Sequence, residues 1–317
     1  MQIVSAYVYG GRLLSVDEIK GNWLTHINYA FAVIRDGEIV HLFNQENLNV
    51  LKKVKRLYPH IKLIISVGGW GADGFSDAAF TESGRMKFAK TVAHFIKEND
   101  FDGVDLDWEY PSSDMAGIKA RKEDKENFTL ILREIRKALK ELELEKQRPL
   151  LLTIAAGAEP WYLDGVDLKD IEPILDYMNL MTYDFYNGWS KKTGHHTNLF
   201  TPAHRPEDNS IDKAVKLFTD QGFPKHKLAI GAGFYGRGLR SVKATGNDIL
   251  YADGSENFDV GYSTLVKDYI HKNGFKRYWD DSAKAPYLYD GDVFITYDDE
   301  ESIFLKGQYV AKEQLGG

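Results

Sequence analysis

Short apolar segments rich in β-branched residues recur along the chain and are separated by charged stretches. A continuous apolar run such as KLIISV at 62–67 is typical of a strand that is buried on both faces of a sheet. Seven segments predict strands, at residues 2–9, 26–34, 61–67, 101–108, 150–156, 176–183 and 227–234.

Amphipathic segments lie between these strands. In residues 81–99 and 123–146, apolar residues return at intervals of three and four among charged residues, which predicts helices. Alternation of strand and helix indicates parallel strands joined by helical crossovers, an α/β fold. The pattern alone is compatible with a closed barrel and with an open sheet.

Residues 238–292 interrupt this alternation. They are rich in Gly, Asp and Tyr and contain one short helical pattern at 263–272, which predicts an inserted subdomain. A strand-like VFITY segment at 293–297 and a helix predicted over 299–314 follow. The predicted organisation is a main domain over 1–237, a subdomain over 238–292 and a return to the main domain over 293–317.

Composition and charge narrow the classes of function. The balance of 43% hydrophobic and 27% charged residues is that of a globular protein with a sizeable core. A formal charge of -7 gives no basic field for nucleic acid, and no apolar run approaches the roughly 20 residues of a membrane span. Without cysteine, the chain has no disulfide and no thiolate. The N-terminus lacks the pattern of a secretory signal, which leaves a mature secreted domain and a cytosolic enzyme both open.

Three acidic residues occupy alternate positions of the segment FDGVDLDWEYP at 101–111. In a strand, Asp105, Asp107 and Glu109 face one side at spacings of about 6.5–7 Å, while the apolar residues between them face the helices. Asp102 has the opposite parity, and we assign it to the turn that enters the strand.

This row predicts acid catalysis. Three carboxylates directed into a low-dielectric interior cannot all ionise cheaply, so at least one pKa is expected to rise. Glu109 is last in the row and nearest the carboxyl ends of the strands, which makes it the general acid, with Asp107 as its partner. Solvated capping residues and a divalent cation site are the alternatives. A straight row converges poorly on one ion, so no metal is expected.

The order Asp102, Asp105, Asp107, Glu109, Tyr110, Pro111 resembles the signature of glycoside hydrolase family 18, the chitinases and their relatives. Three further motifs resemble the family in the same order, and the resemblance spans nearly the whole chain. It implies a TIM (β/α)8 barrel with a small α+β insertion at 238–292. The motifs are SVGGW at 66–70, MTYDFY at 181–186 and FYGRG at 234–238.

The resemblance also implies the chemistry. Chitin or chito-oligosaccharides would be cleaved at β-1,4 linkages between N-acetylglucosamine units by a substrate-assisted retaining mechanism, without a cofactor. Glu109 would protonate the glycosidic oxygen while the N-acetyl carbonyl oxygen attacks the anomeric carbon. Asp107 would orient the acetamido N–H, Asp105 would tune the proton of Asp107, and Tyr183 would hydrogen-bond the acetamido oxygen.

Further substrate-binding positions are implied by the same motifs and by the strand ends. A packed core aromatic or a surface ion pair is the alternative for each position. The positions are Tyr7, Phe31, Gly69, Trp70, Tyr110, Met181, Asp184, Tyr186, Trp189 and Arg237.

Three other functions compete with chitin hydrolysis. A lectin-like binder on the same fold would lack the acid, which Glu109 argues against. An endo-N-acetylglucosaminidase acting on N-glycans shares the acid row, but Trp108 and the predicted insertion favour chitin. A dinucleotide enzyme would require GAGFYG at 231–236 to open a helix, whereas a polar irregular stretch follows it. His195 and His196 are expected in a loop rather than at a metal.

The VFITY segment decides the number of barrel strands. Relatives usually continue past a Gly-Gly such as 316–317 into a last strand that carries a Trp. If VFITY belongs to the insertion, the barrel lacks its eighth strand and its first and seventh strands have unpaired edges. Such a gap would cost stability, invite self-association of an otherwise monomeric chain, and could abolish catalysis.

Overall fold

The computed structural model describes residues 2–41, 44–245 and 248–317. Its strands and α-helices follow the alternation that the sequence predicts. The strands are β1 (Ser5–Tyr9), β2 (His26–Arg35), β3 (Glu38–Val40), β4 (Lys62–Gly68), β5 (Gly103–Asp107), β6 (Leu151–Gly157), β7 (Tyr177–Met181), β8 (Leu228–Ile230), β9 (Tyr235–Arg240), β10 (Glu256–Gly261), β11 (Lys276–Asp280), β12 (Ala285–Tyr289) and β13 (Phe294–Thr296). The helices are α1 (Gln45–Leu57), α2 (Phe75–Phe80), α3 (Glu82–Asn99), α4 (Asp124–Lys146), α5 (Leu168–Ile171), α6 (Ile211–Asp220), α7 (Tyr262–Thr264) and α8 (Glu300–Glu313).

The main sheet has the strand order β1-β2-β4-β5-β6-β7-β8, and β3 pairs with β2 beside it. The pairs β1–β2, β2–β4, β4–β5 and β5–β6 are parallel. In this register Asp105 on β5 lies between Ser66 on β4 and Thr153 on β6. All seven strands predicted from the apolar segments are therefore confirmed, in a TIM-like (β/α) fold.

Helices α3 and α4 confirm the two clearest helical predictions. Thr81 caps the amino end of α3 by accepting a hydrogen bond from the Gly84 N–H, and the helix is followed by the cap residue Asp100, whose φ of 57° is left-handed. The side of β5 opposite the acids packs against the helices. There the ring of Trp108 stacks on Phe75 of α2 with centroids 5.2 Å apart and meets Phe128 of α4 edge-on at 5.5 Å.

The chain divides into two compact units. The first comprises residues 1–179, 221–229 and 316–317, and the second comprises residues 180–220 and 230–315. The smaller antiparallel sheet lies in the second unit, in the order β10-β9-β13-β12-β11. The boundaries proposed from the sequence, at 237/238 and 292/293, remain a prediction.

The VFITY segment forms β13, which pairs antiparallel with β9 and β12. It therefore belongs to the small sheet, and within the described residues the parallel sheet has seven strands. The helical pattern at 263–272 forms only the single turn α7, followed by a π-helical turn at Leu265–Tyr269. Leu265, Leu288 and Ile295 fill the core of this sheet.

Gly316 connects the amino ends of the two strands at the ends of the parallel order. Its N–H lies 2.8 Å from the Leu228 carbonyl at the start of β8, and its carbonyl accepts from the Ile3 N–H at 2.7 Å, just before β1. The backbone of one residue thus spans both segments at this point. Over the described ranges, every helix is too short or too polar to cross a membrane.

Candidate active site

Asp105 accepts hydrogen bonds on both of its carboxylate oxygens. Its Oδ2 accepts from Tyr7 Oη and Ser66 Oγ, both at 2.8 Å, and its Oδ1 accepts from Thr153 Oγ1 at 2.6 Å and Asn179 Nδ2 at 3.3 Å. Burial raises the pKa of Asp105, and these four hydrogen bonds oppose the rise. A carboxylate offers about four acceptor positions, so the acceptor capacity of Asp105 is filled.

Asp107 has the opposite surroundings. It is 5% exposed, and its Oδ1 is buried with no hydrogen-bond partner in the part of the chain that the structure describes. Burial raises the pKa of Asp107 well above its ordinary value, and the negative charges of Glu109 and Asp105 raise it further. Of the two aspartates, Asp107 therefore has the more strongly raised pKa.

Glu109 lies two residues beyond the last residue of β5, so the acid row runs off the strand into the loop that follows it. It is 9% exposed. The neighbouring end of β4 approaches this segment closely. The Gly69 N–H donates to the Asp107 carbonyl at 2.9 Å, and a Cβ on Gly68 would lie 2.1 Å from the same oxygen. With φ values of 121° and 93°, Gly68 and Gly69 adopt backbone conformations that side-chain-bearing residues rarely tolerate.

Aromatic side chains of the first unit lie on β1 and β2 and just after β4 and β5. Tyr7 and Phe31 lie with ring centroids 6.5 Å apart, and a Cβ on Gly69 would lie 3.0 Å from the Phe31 ring. Trp70 is 50% exposed and meets Tyr110 edge-on at 6.4 Å. These five residues were predicted from the sequence. Tyr7 lies within β1 and Phe31 within β2, whereas Gly69, Trp70 and Tyr110 lie just after β4 and β5.

Sequence reasoning missed several residues of this unit. Ser66, Thr153 and Asn179 hydrogen-bond Asp105. Ser66 lies in the SVGGW motif but was given no role, and no motif contains Thr153 or Asn179. Trp161 also went unnoticed, although its ring lies 4.8 Å from that of Tyr110. Its place just after β6 matches the place of Trp70 just after β4, and this positional analogy could have identified it.

In the second unit, Asp184 and Arg237 form a two-pronged ion pair. Arg237 Nε and Nη2 each lie 2.7 Å from one carboxylate oxygen of Asp184, and Tyr235 Oη donates to Oδ1 at 2.8 Å. Burial would raise the pKa of Asp184, but the neighbouring His196 ring and the Arg237 guanidinium hold it below its ordinary value. His196 Nδ1 is 3.7 Å from Asp184 Oδ1, and burial lowers the pKa of that ring.

The other predicted residues of the second unit lie near this pair or on the following loop. Met181 is the last residue of β7, and the ring of Tyr183 meets that of Tyr235 edge-on at 6.1 Å. Tyr186 Oη lies 3.2 Å from Asp208 Oδ2. Trp189 is 70% exposed on a turn in which its N–H is held by Asn187 Oδ1 at 3.0 Å.

Two sequence features of this unit take structural rather than cofactor roles. His195 lies in the loop after β7, and its Nε2 is 3.1 Å from Asp280 Oδ2. The segment GAGFYG at 231–236 leads into β9 and not into a helix. It therefore lacks the helix N-terminus that a dinucleotide pyrophosphate requires.

Comparison with known proteins places this architecture in a family. The family model described as Glycosyl hydrolases family 18 matches residues 6–317. The chain belongs to glycosyl hydrolase family 18. It is 41% identical over 290 residues to Chitinase A1 of Niallia circulans, a match that covers 86% of this chain and 41% of that protein. It is 30% identical over 316 residues to Chitotriosidase-1 of Mus musculus, covering 95% of this chain and 66% of that protein. The chain thus spans only part of the length of these curated relatives.

A solved structure is similar over nearly its whole length. It is described as a glycoside hydrolase family 18 N-acetylglucosaminidase from Paenibacillus barengoltzii. The TM-score is 0.94 at 44% sequence identity, and the match covers 100% of this chain and 94% of that one.

Proposed function

We propose that the chain hydrolyses β-1,4 linkages between N-acetylglucosamine units of chitin or chito-oligosaccharides by a substrate-assisted retaining mechanism. The observation that carries the proposal is the contrast within the acid row. Asp105 is saturated with hydrogen bonds, whereas the buried Oδ1 of Asp107 has no partner within the described ranges. Relatives named chitinase in several organisms support the same substrate.

The surroundings of each acid suit a distinct step. Glu109 gives its proton to the glycosidic oxygen as the bond to the anomeric carbon breaks, and the substrate's acetamido carbonyl oxygen forms the new bond to that carbon. The unpartnered Oδ1 of Asp107 accepts the acetamido N–H and stabilises the positive charge that grows on that group. Water then attacks the same carbon as its bond to the acetamido oxygen breaks, Glu109 takes the proton of the water, and the second inversion restores the original configuration.

Asp105 supports this cycle without contacting the reacting atoms. Its four hydrogen bonds oppose the rise in pKa that burial causes, and negative charge on Asp105 favours the protonated form of Asp107. The role of Tyr183 on the acetamido oxygen rests on the MTYDFY motif, as the sequence predicts.

A second candidate differs only in the product released. The solved relative is described as an N-acetylglucosaminidase, which favours release of single sugars over release of longer fragments. A lectin-like binder is disfavoured because Glu109 is present, and nothing in the comparisons favours an enzyme of N-glycans.

The test is turnover of a chromogenic chitobioside and of the corresponding monosaccharide substrate by this polypeptide, with parallel analysis of products from chitohexaose. We expect hydrolysis with the β-anomer formed first, observed by NMR before mutarotation. Initial formation of the α-anomer would contradict the mechanism. Tight oligosaccharide binding without any turnover would replace the enzyme by a binding protein. Predominant release of monosaccharide would select the second candidate.

A further inference from the structure

Two tryptophans contact the tyrosine that directly follows the general acid. The ring of Tyr110 meets Trp70 at 6.4 Å with planes at 69°, and it meets Trp161 at 4.8 Å with planes at 76°. Trp70 follows β4 and Trp161 follows β6, so the two flank β5 in the strand order. Both indoles are therefore adjacent to the segment that carries Glu109.

The turn that carries Trp161 is firmly packed. It is a 3-10 segment, Pro160–Gly165, whose Gly165 lies so close to the Pro111 carbonyl that a Cβ would approach it to 2.2 Å. Tyr162 in the same turn is 2% exposed, and burial and the charge of Asp107 both raise its pKa. The turn is thus built against residues 107–111, and Trp161 is held in place by its neighbours.

Glu159 fixes the orientation of the indole. Trp161 Nε1 donates to Glu159 Oε2 at 2.5 Å, a charge-assisted hydrogen bond. The indole N–H is thereby satisfied by the protein, and Trp161 remains partly exposed. A partly exposed ring whose polar edge is already occupied can offer a ligand only its apolar surface, and apolar ring surface is what packs against the C–H face of a pyranose.

We propose that Trp161 is a specificity-determining residue that packs against a sugar unit beyond the two that flank the scissile bond, and that Glu159 is a positioning residue that sets the plane of its indole. This inference rests on the proposed function, because it names a chito-oligosaccharide as the ligand. Trp161 increases the binding affinity for longer substrates and does not affect the residues that break the bond.

Substrate length provides the test. For Trp161→Ala, KM should rise roughly three- to tenfold for chitohexaose, the loss expected of one aromatic packing contact. The KM for the chromogenic chitobioside and the kcat for both substrates should stay within about twofold of the parent, since the interaction stabilises bound substrate and transition state equally. Trp161→Phe should show a smaller KM change because it keeps a ring.

The positioning role has its own variants. Glu159→Gln keeps an acceptor for the indole N–H, so KM should still depend on substrate length almost as in the parent. Glu159→Ala removes the acceptor, so part of this dependence of KM on substrate length should be lost. The matched control is Trp23→Ala, a tryptophan 75% exposed on a 3-10 turn before β2, at the opposite end of the strands from Glu109. It should behave as the parent with every substrate.

Calorimetric binding of chitohexaose to Glu109→Gln, with and without Trp161→Ala, separates the inference from the proposed function. A weaker binding of chitohexaose in the double variant supports the role of Trp161 even if the parent shows no turnover, an outcome that would contradict only the proposed function. The inference is overturned if Trp161→Ala leaves KM unchanged at every length. It is equally overturned if Trp161→Ala raises the KM for the chitobioside and for chitohexaose by the same factor. A higher KM in Trp161→Phe that is accompanied by a lower melting temperature, as expected of a packing defect, would also overturn it.

Discussion

Asp105 and Asp107 lie two residues apart on β5 with opposite hydrogen-bonding surroundings. Asp105 accepts four side-chain hydrogen bonds, while Asp107 Oδ1 is buried without a partner in the described residues. An unsatisfied buried polar atom costs stability, and native proteins keep such atoms mainly where function requires them. The pair therefore marks Asp107 as a position where, under the proposed function, the fold gives up stability for chemistry.

We expect Asp107→Asn to stabilise the protein near neutral pH while it lowers kcat. The folded-state pKa of Asp107 is raised, so the folded protein holds a proton that the unfolded chain releases above about pH 3.9. This group's contribution to stability is therefore present at low pH and is lost as pH rises. Thermal unfolding at pH 4 and pH 7.5 tests this, with an expected gain at the higher pH of roughly 2–4 °C for each kcal/mol recovered.

The control for this variant is Asp36→Asn at an exposed turn, which should shift the melting temperature little at either pH. A melting temperature for Asp107→Asn below that of the parent at pH 7.5 would show that the carboxyl is stabilised by contacts that outweigh its burial.

Glu109→Gln should retain oligosaccharide binding and lose about 2 to 4 decades of kcat, the usual effect of removing a general acid. The amide preserves the shape of the side chain but cannot deliver the proton. Steady-state rates with the chromogenic chitobioside and calorimetric binding measure the two quantities separately. Glu145→Gln, at a surface ion pair with Lys97, is the matched control. Near-parental turnover by Glu109→Gln would remove this residue from the mechanism.

Asp105→Asn should lower both stability and kcat. Thr153 Oγ1 and Asn179 Nδ2 both donate to Oδ1, and two other groups donate to Oδ2. The NH2 group of the asparagine would therefore face two donors whichever of the two oxygen positions it occupies. Each buried donor left unpaired costs about 1–3 kcal/mol. Thr153→Val removes one donor with little change of shape and should have a smaller effect on both quantities. Denaturant unfolding and kcat together decide this, and a parental unfolding midpoint for Asp105→Asn would be contrary to the assigned contacts.

The alternating pattern of the sequence predicted the local parts of this fold well. The apolar segments become the parallel strands, and Trp108 packs on the helices while Asp105 faces the interior. Parity is a property of a single strand, and a single strand's pattern shows it. VFITY was ambiguous because a short apolar run looks the same in a parallel and in an antiparallel sheet.

The sequence could not provide the register between strands. The donors to Asp105 lie 98, 39, 48 and 74 residues away along the chain, and their convergence depends on how each strand is aligned with the next. The contact of Trp161 with Tyr110 has the same origin, since it depends on where a turn after β6 meets a loop after β5. Motif resemblance marked Tyr7 and Tyr110 and included Ser66 in SVGGW, but it gave Ser66 no role and carried no information on Thr153.

His26 should make stability fall as the solution becomes acidic. Burial and the charge of Lys62 lower its pKa to about 4, although the charge of Asp102 opposes them, and its ring meets Tyr177 edge-on at 5.5 Å. In the unfolded chain this histidine binds a proton below about pH 6.5, whereas in the folded protein it does so only below about pH 4. Folding stability therefore falls between these two pH values, by on the order of 2 kcal/mol. Comparison of Tm at pH 7.5 and 4.5 should show a smaller acid loss for His26→Gln than for the parent. The exposed His94→Gln is the control, and an acid loss equal to the parent's in His26→Gln would assign the effect to other groups.

Arg237→Ala should destabilise the second unit and weaken its pH dependence in acid. The substitution removes both hydrogen bonds that the guanidinium donates to Asp184. The Asp184 side chain is 33% exposed and would be left as a partly buried charge. Because the pKa of Asp184 is held low, its contribution to stability is present above its ordinary pKa and is lost as pH falls below about 3.9. We expect a loss of about 1–3 kcal/mol at pH 7, discounted for solvent screening, and a flatter stability profile between pH 5 and pH 3. Arg237→Lys keeps the charge but not the planar fork, so it should recover only part of the loss.

Arg12→Ala, which breaks an exposed pair with Glu18, should change neither quantity appreciably. Denaturant unfolding across this pH range decides the matter, and a profile for Arg237→Ala that parallels the parent's would show that Asp184 is held ionised by other groups.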